Sequence, residues 1–258
     1  MPDFYTAMNL LPAHRQLVMA CHITGVYDVN RSNTLADDDY ELVRVWAESI
    51  RALGLHGVLF HNNFSDETCN RHQSNHLSFV RVTHDSRFNP NVFRYLVYRD
   101  FLRQHAGRID SLFMTDVTDV VAVLNPFVQP LFTANPATIF CGDEPKILAN
   151  DWMHDHATHL RSQISDYAAY EAEFANATLL NCGIIGGNRA VMQPFIEQLA
   201  AIHETYNYNN QTAYTGDMGA FNYLIRSRFN NQVFHGPPVN TEFKAYQNGR
   251  VDCWFRHK

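Results

Sequence analysis

Short apolar runs that stop at a glycine or an aspartate alternate along this chain with amphipathic stretches, and that alternation most restricts its fold. Leu17–Ile23 is apolar and ends at Thr24-Gly25, as a strand buried on both faces would. An amphipathic stretch follows Asp37-Asp38-Asp39, with Leu42, Val45, Trp46, Ser49, Ile50 and Leu53 on one face and acidic residues at its start. Gly57–His61 and Ser78–Thr83 read as further strands. Pro90 opens a helix reaching about His105, and Ser111–Thr115 is a strand that stops at Asp116. Strands are expected again at Thr138–Cys141, Leu179–Ile185 and Gln232–His235, with helices at Arg189–Thr205 and Gly216–Arg228. Such a succession predicts an α/β fold with a mostly parallel central sheet flanked by helices.

The chain has 258 residues, 46% of them apolar and 18% charged, which suits one large domain with a substantial core. A net charge of −6, with no basic block, argues against a nucleic-acid-binding surface. No apolar run approaches the ~20 residues that span a bilayer, and Met1–Tyr5 carry no export signal. Five scattered cysteines without a C-x-x-C pair fit a reducing compartment, so the expected location is cytoplasmic, possible peripheral attachment to a membrane aside.

Ligands of open α/β sheets bind beyond the carboxyl ends of the strands. Attention therefore falls on Phe113-Met114-Thr115-Asp116-Val117-Thr118-Asp119, where two carboxylates follow an apolar strand. Hard oxygen ligands there could hold Mg²⁺ or Mn²⁺ against a diphosphate, although two aspartates alone read better as a solvated turn in which Asp116 caps a short helix. Leu179–Arg189 carries three glycines in five residues before a helix, but not the G-x-G-x-x-G spacing of a dinucleotide site. Asp217, at a helix start, would alone be an ordinary cap. His257-Lys258 would alone be a solvated tail.

Taken in order, D-V-T-D after a strand, N-C-G-I-I-G-G, D-x-x-x-x-F-N, H-G-P-P and a final H-K resemble the nucleotide-sugar glycosyltransferases of the GT-A fold. The resemblance implies a single Rossmann-like domain, with a nucleotide-binding half over about 14–125 and an acceptor-binding half over about 126–258. It implies a nucleoside-diphosphate sugar as donor (a UDP-sugar by default) and a glycan, lipid-linked or protein acceptor. Asp116, Asp119 and His257 would coordinate Mn²⁺ or Mg²⁺, with D-V-T-D one residue longer than the usual D-x-D. Lys258 would contact the diphosphate, and Thr24, Tyr27 and Asp28 would hold base and ribose. Arg94 and Arg99 could reach the donor, one of the two being expected instead in a surface ion pair. Gly186, Gly187 and the Asp143-Glu144 turn would line the sugar and acceptor side. Asp217 would be the general base of an inverting enzyme, or would steady substrate and positive charge in a retaining one; the His-Lys ending resembles retaining groups more. Two rival readings stand beside this one. His154, His156 and His159 (H-x-H-x-x-H) could bind zinc in a hydrolase, or a GT-A-like protein could bind sugar without catalysis.

Overall fold

The computed structural model describes residues 15–28, 33–209 and 216–258. The first half contains β1 (Gln16–His22), β2 (Tyr27–Asp28), β3 (Asn33–Thr34), α1 (Glu41–Ala52), β4 (His56–His61), α2 (Asp66–His72), β5 (Leu77–Arg81), α3 (Pro90–His105), β6 (Ser111–Thr115) and β7 (Val120–Ala122). The second half continues with α4 (Pro130–Thr133), β8 (Ile139–Ile147), α5 (Asp151–His156), α6 (Thr158–Arg161) and α7 (Tyr167–Glu173). It then runs through β9 (Thr178–Asn188), α8 (Arg189–Tyr206), α9 (Asp217–Leu224), β10 (Val233–His235) and β11 (Phe255–His257).

Seven strands form one sheet in the order β10-β8-β9-β6-β1-β4-β5. All neighbours run parallel except β9, which is antiparallel to both β6 and β8. Side-chain alternation explains why the strands read as continuous apolar runs. Leu17 and Met19 of β1, Val58 and Phe60 of β4, and Leu112 and Met114 of β6 enter one core, beneath α3, α8 and α9. Their neighbours Val18, Ala20, Leu59 and Phe113 enter the opposite core, with Trp46 of α1, Phe127, Phe132 and Trp254. With both faces covered, no polar position is needed along these strands.

Strand order reverses at β1. The crossovers through α1 and α2 build outward to β4 and β5, whereas α3 returns the chain to β6 on the other flank of β1. The return is set locally: Pro90 occupies the first turn of α3, and the Asn89 side chain accepts from the Asn91 amide. A crevice opens where the loops leaving β1 and β6 part company. A separate ribbon completes it: β11 pairs antiparallel with β7, His257 opposite Val120. Among the described residues, no helix is long and apolar enough to cross a membrane.

Candidate active site at the carboxyl edge of the sheet

A cavity of about 570 Å³ occupies this crevice. One wall is the exit of β1, from Cys21 to Ile23; another is the Asp116–Asp119 turn leaving β6. The opposite side is built from β8, α5 and the middle of β9.

Asp116, Asp119 and His257 offer one ligand atom each, all within 4.8 Å of one another. His257 Nε2 lies 3.8 Å from Asp116 Oδ2 and 3.9 Å from Asp119 Oδ2. The ribbon makes this meeting possible: the His257 amide donates to Thr241 Oγ1 at 3.0 Å, and the Lys258 amide donates to the Asp119 carbonyl at 3.0 Å. The imidazole itself is 2% exposed, and neither ring nitrogen has a hydrogen-bond partner. Buried nitrogens are seldom left so, and a missing ion is one reason for it. Burial also pushes the imidazole down to about 4, leaving a neutral ring with a lone pair to give. Two carboxylates and one imidazole suit a hard divalent cation of the Mg²⁺ or Mn²⁺ type, so the residues present fit such an ion.

Gly183 makes room for the cluster. A Cβ there would stand 2.5 Å from His257 Cε1 and 2.7 Å from Asp116 Oδ2. Its amide donates to Asn181 Oδ1 at 2.7 Å, which fixes the backbone at that distance.

Arg94 lies behind the carboxylates. Its side chain is 9% exposed and donates to Asp116 Oδ1, while Nη2 lies 3.6 Å from Asp217 Oδ2. The guanidinium thus joins a carboxylate of the Asp-Asp-His cluster to the carboxylate opening α9. Gly216, at φ +72°, turns the chain so that Asp217 points inward. Cys182 Sγ completes the group, 3.7 Å from Asp217 Oδ2; burial raises its thiol well above the ordinary range, so it serves as a donor and not as a thiolate nucleophile. On β8, bulges between Cys141 and Ile147 aim successive side chains differently. Glu144 lines the cavity, accepting from Asn181 Nδ2 at 3.0 Å and Lys146 Nζ at 3.3 Å, whereas Asp143 meets His235 Nδ1 at 2.9 Å.

The structure therefore brings Asp116, Asp119, His257, Asp217, Arg94 and Glu144 to one cavity. Other expected site residues lie elsewhere. Gly186 is packed under the Phe113 ring and Gly187 against the Thr138 carbonyl; both serve sheet packing, and Gly183 is the glycine at the site. Arg99 pairs with Asp100 and Glu204, tying α3 to α8. Thr24 is buried and bonded through its backbone to Asn62 and Asn63, while Cys21, His22, Ile23 and Val26 face the cavity. Tyr27 is exposed on the β2–β3 hairpin, and Asp28 closes β2; neither lines the cavity. Lys258 is exposed and does not line the cavity, although its amide holds the Asp119 carbonyl at the edge of the cluster, and Lys244 lines the wall with His257.

The three histidines of H-x-H-x-x-H do not converge. His154 is exposed, His159 bonds the Tyr206 carbonyl at 2.6 Å, and His156 packs at a tilt against Trp152 in the cavity wall. Helical spacing sends them in different directions, and among the described residues only the Asp116 cluster has metal-ligand geometry. Trp152, Lys146 and Lys244 went unnoticed in the sequence because no short motif marks them, and His156 was noticed only as part of H-x-H-x-x-H. Cys182 and Gly183 lay inside a motif whose later glycines drew the attention. A scan against protein-family models and a search of curated proteins both return no match.

Proposed function

We propose that this chain is a metal-dependent glycosyltransferase of GT-A-like fold, moving a sugar from a nucleoside-diphosphate sugar, most simply a UDP-sugar, to an acceptor hydroxyl. One observation carries the reading: an Asp-Asp-His cluster with an orphaned buried imidazole, set at the point where strand order reverses. A divalent cation held by Asp116, Asp119 and His257 would supply positive charge against a diphosphate.

The chain's own residues then divide the work. The β1 exit and Val26 form the half-apolar wall suited to base and ribose. Arg94, itself buried, donates to Asp116 and orients it. Lys244 takes the diphosphate-facing position that the motif gave to Lys258. In the transfer, the bond between the anomeric carbon and the phosphate oxygen breaks, and its electron pair leaves with the nucleoside diphosphate. The acceptor oxygen bonds the same carbon, and the acceptor proton passes to the departing phosphate oxygen. Asp217, already engaged by Arg94 and Cys182, is better placed to steady the positively charged sugar than to lift a proton, which favours retention of configuration.

The test is donor hydrolysis. With Mn²⁺ and a panel of UDP-sugars, the protein should release UDP slowly from one of them, and Asp119→Ala should stop the release without unfolding the chain. Undiminished release by Asp119→Ala, or none from any sugar nucleotide, would sink the proposal.

A further inference from the structure

The cavity has a second end that the donor reading leaves unused. The chain has three tryptophans; Trp46 and Trp254 are each 1% exposed, but Trp152 is 40% exposed and lines the cavity from α5. Its ring is packed against His156, centroids 4.0 Å apart and planes 31° apart, which leaves the other part of the indole open to the cavity. Lys146 Nζ lies 6.0 Å from the same ring and also reaches Glu144 Oε2. His156, 3% exposed, lines the same cavity as Glu144 and Asp217, the carboxylate assigned to the reacting centre.

A half-exposed indole beside a carboxylate, an amide and an ammonium has a definite chemical complement. The apolar C–H face of a sugar ring covers an aromatic plate, and its hydroxyls both donate and accept. Glu144 supplies acceptors, and Lys146 and the Asn181 amide nitrogen supply donors. Charge narrows the choice further. The cavity wall holds four carboxylates (Asp116, Asp119, Glu144, Asp217) and three cations (Arg94, Lys146, Lys244). Adding a divalent cation and a diphosphate leaves the loaded site slightly negative, which disfavours an anionic partner.

We infer that Trp152, Lys146, Glu144 and Asn181 form the acceptor subsite, and that the acceptor is a neutral saccharide rather than an acidic one or a peptide. This rests on the donor reading above, so the experiment reads the two separately. First, the full chain with Mg²⁺ is tested for thermal stabilisation by UDP. Next, lactose, maltose, cellobiose and N-acetyllactosamine, together with glucuronate-containing disaccharides and a serine/threonine peptide, are titrated while tryptophan fluorescence is followed. Trp152 is the exposed emitter, so occupancy should change its signal. A saturable response to at least one neutral saccharide, with acidic sugars and the peptide silent, is expected. Calorimetry should then show that Trp152→Ala weakens that saccharide about tenfold while Trp152→Phe largely keeps it. UDP stabilisation with flat saccharide curves, stronger binding of an acidic sugar or the peptide, or undiminished binding by Trp152→Ala overturns the inference alone. Absence of UDP stabilisation removes the donor reading and this inference with it.

Discussion

Gly183→Ala places one methyl group at the centre of the site. The new Cβ would stand 2.5 Å from His257 Cε1, 2.7 Å from Asp116 Oδ2 and 3.0 Å from Asn181 Oδ1. Carbon atoms in contact settle at about 3.5 Å or more, so the imidazole must withdraw by ~1 Å. It cannot do so freely, because β11 is hydrogen-bonded to β7 and Asp116 is held from behind by Arg94. Overpacking of this kind costs about 1–3 kcal/mol, a fall in melting temperature of roughly 2–12 °C for a chain of this size. The larger effect falls on the cluster, since displaced ligands lose about 10–100-fold in metal affinity. Calorimetric titration of Mn²⁺ in the presence of UDP measures that loss, with Gly107→Ala as control, because a Cβ at Gly107 meets nothing within 4 Å. A folded Gly183→Ala protein with undiminished Mn²⁺ affinity would refute the placement of His257 beside Asp116.

Three further outcomes follow from the same geometry. His257→Leu removes two buried nitrogens that lack hydrogen bonds, each unfavourable by about 1–3 kcal/mol; the metal-free protein should hold or gain stability in urea titration while metal-dependent stabilisation disappears, and a large loss of metal-free stability would contradict this. Arg94→Met leaves the Asp116 and Asp217 carboxylates uncompensated and should cost about 3–5 kcal/mol, part of it recovered in the double variant with Asp116→Asn; additive losses would argue against the shared cation. Burial, aided by the charge of Arg81, pushes the His61 imidazole from 6.5 down to about 4. The folded state therefore keeps it neutral while the unfolded chain takes up a proton. The stabilisation is complete above pH 6.5 and is lost as pH falls towards 4, about 2 kcal/mol having gone by pH 5. Urea unfolding at pH 7.5 and pH 5 should show that drop in the parent and a smaller one in His61→Asn; equal slopes would count against it.

Much of this architecture can be read from the sequence, for physical reasons. Proline at a helix start fixes α3 at Pro90, and an apolar run ending at a carboxylate fixes β6 at Ser111–Thr115. Where pairing partners are distant, the sequence falls short. Nothing local signals that β9 runs antiparallel, or that it continues past Ile185 to Asn188. The expected helix at Gly216–Arg228 is α9 followed by a widened turn over Ile225–Phe229. The 150–173 region, notable in sequence for its histidines, folds as three short helices whose side chains scatter. At the site, Asp116, Asp119 and His257 were singled out by the order of the motifs and by no one of them alone, and the fold brings one ligand atom of each within 4.8 Å of the others. Arg94 and Arg99 share one helix and one residue type; only their surroundings separate a cation between two carboxylates from an ion pair linking helices. Trp152 and Lys146 were hidden for the same reason, their role coming from what stands beside them in space.

The account turns on whether the cluster grips a cation that in turn grips a nucleoside diphosphate. Isothermal titration of UDP into the protein with Mn²⁺, repeated in EDTA and in Asp119→Ala, measures this directly. Saturable binding that requires Mn²⁺ and is lost in Asp119→Ala is the predicted result. UDP binding of equal strength in EDTA, or in Asp119→Ala with Mn²⁺ present, would contradict it.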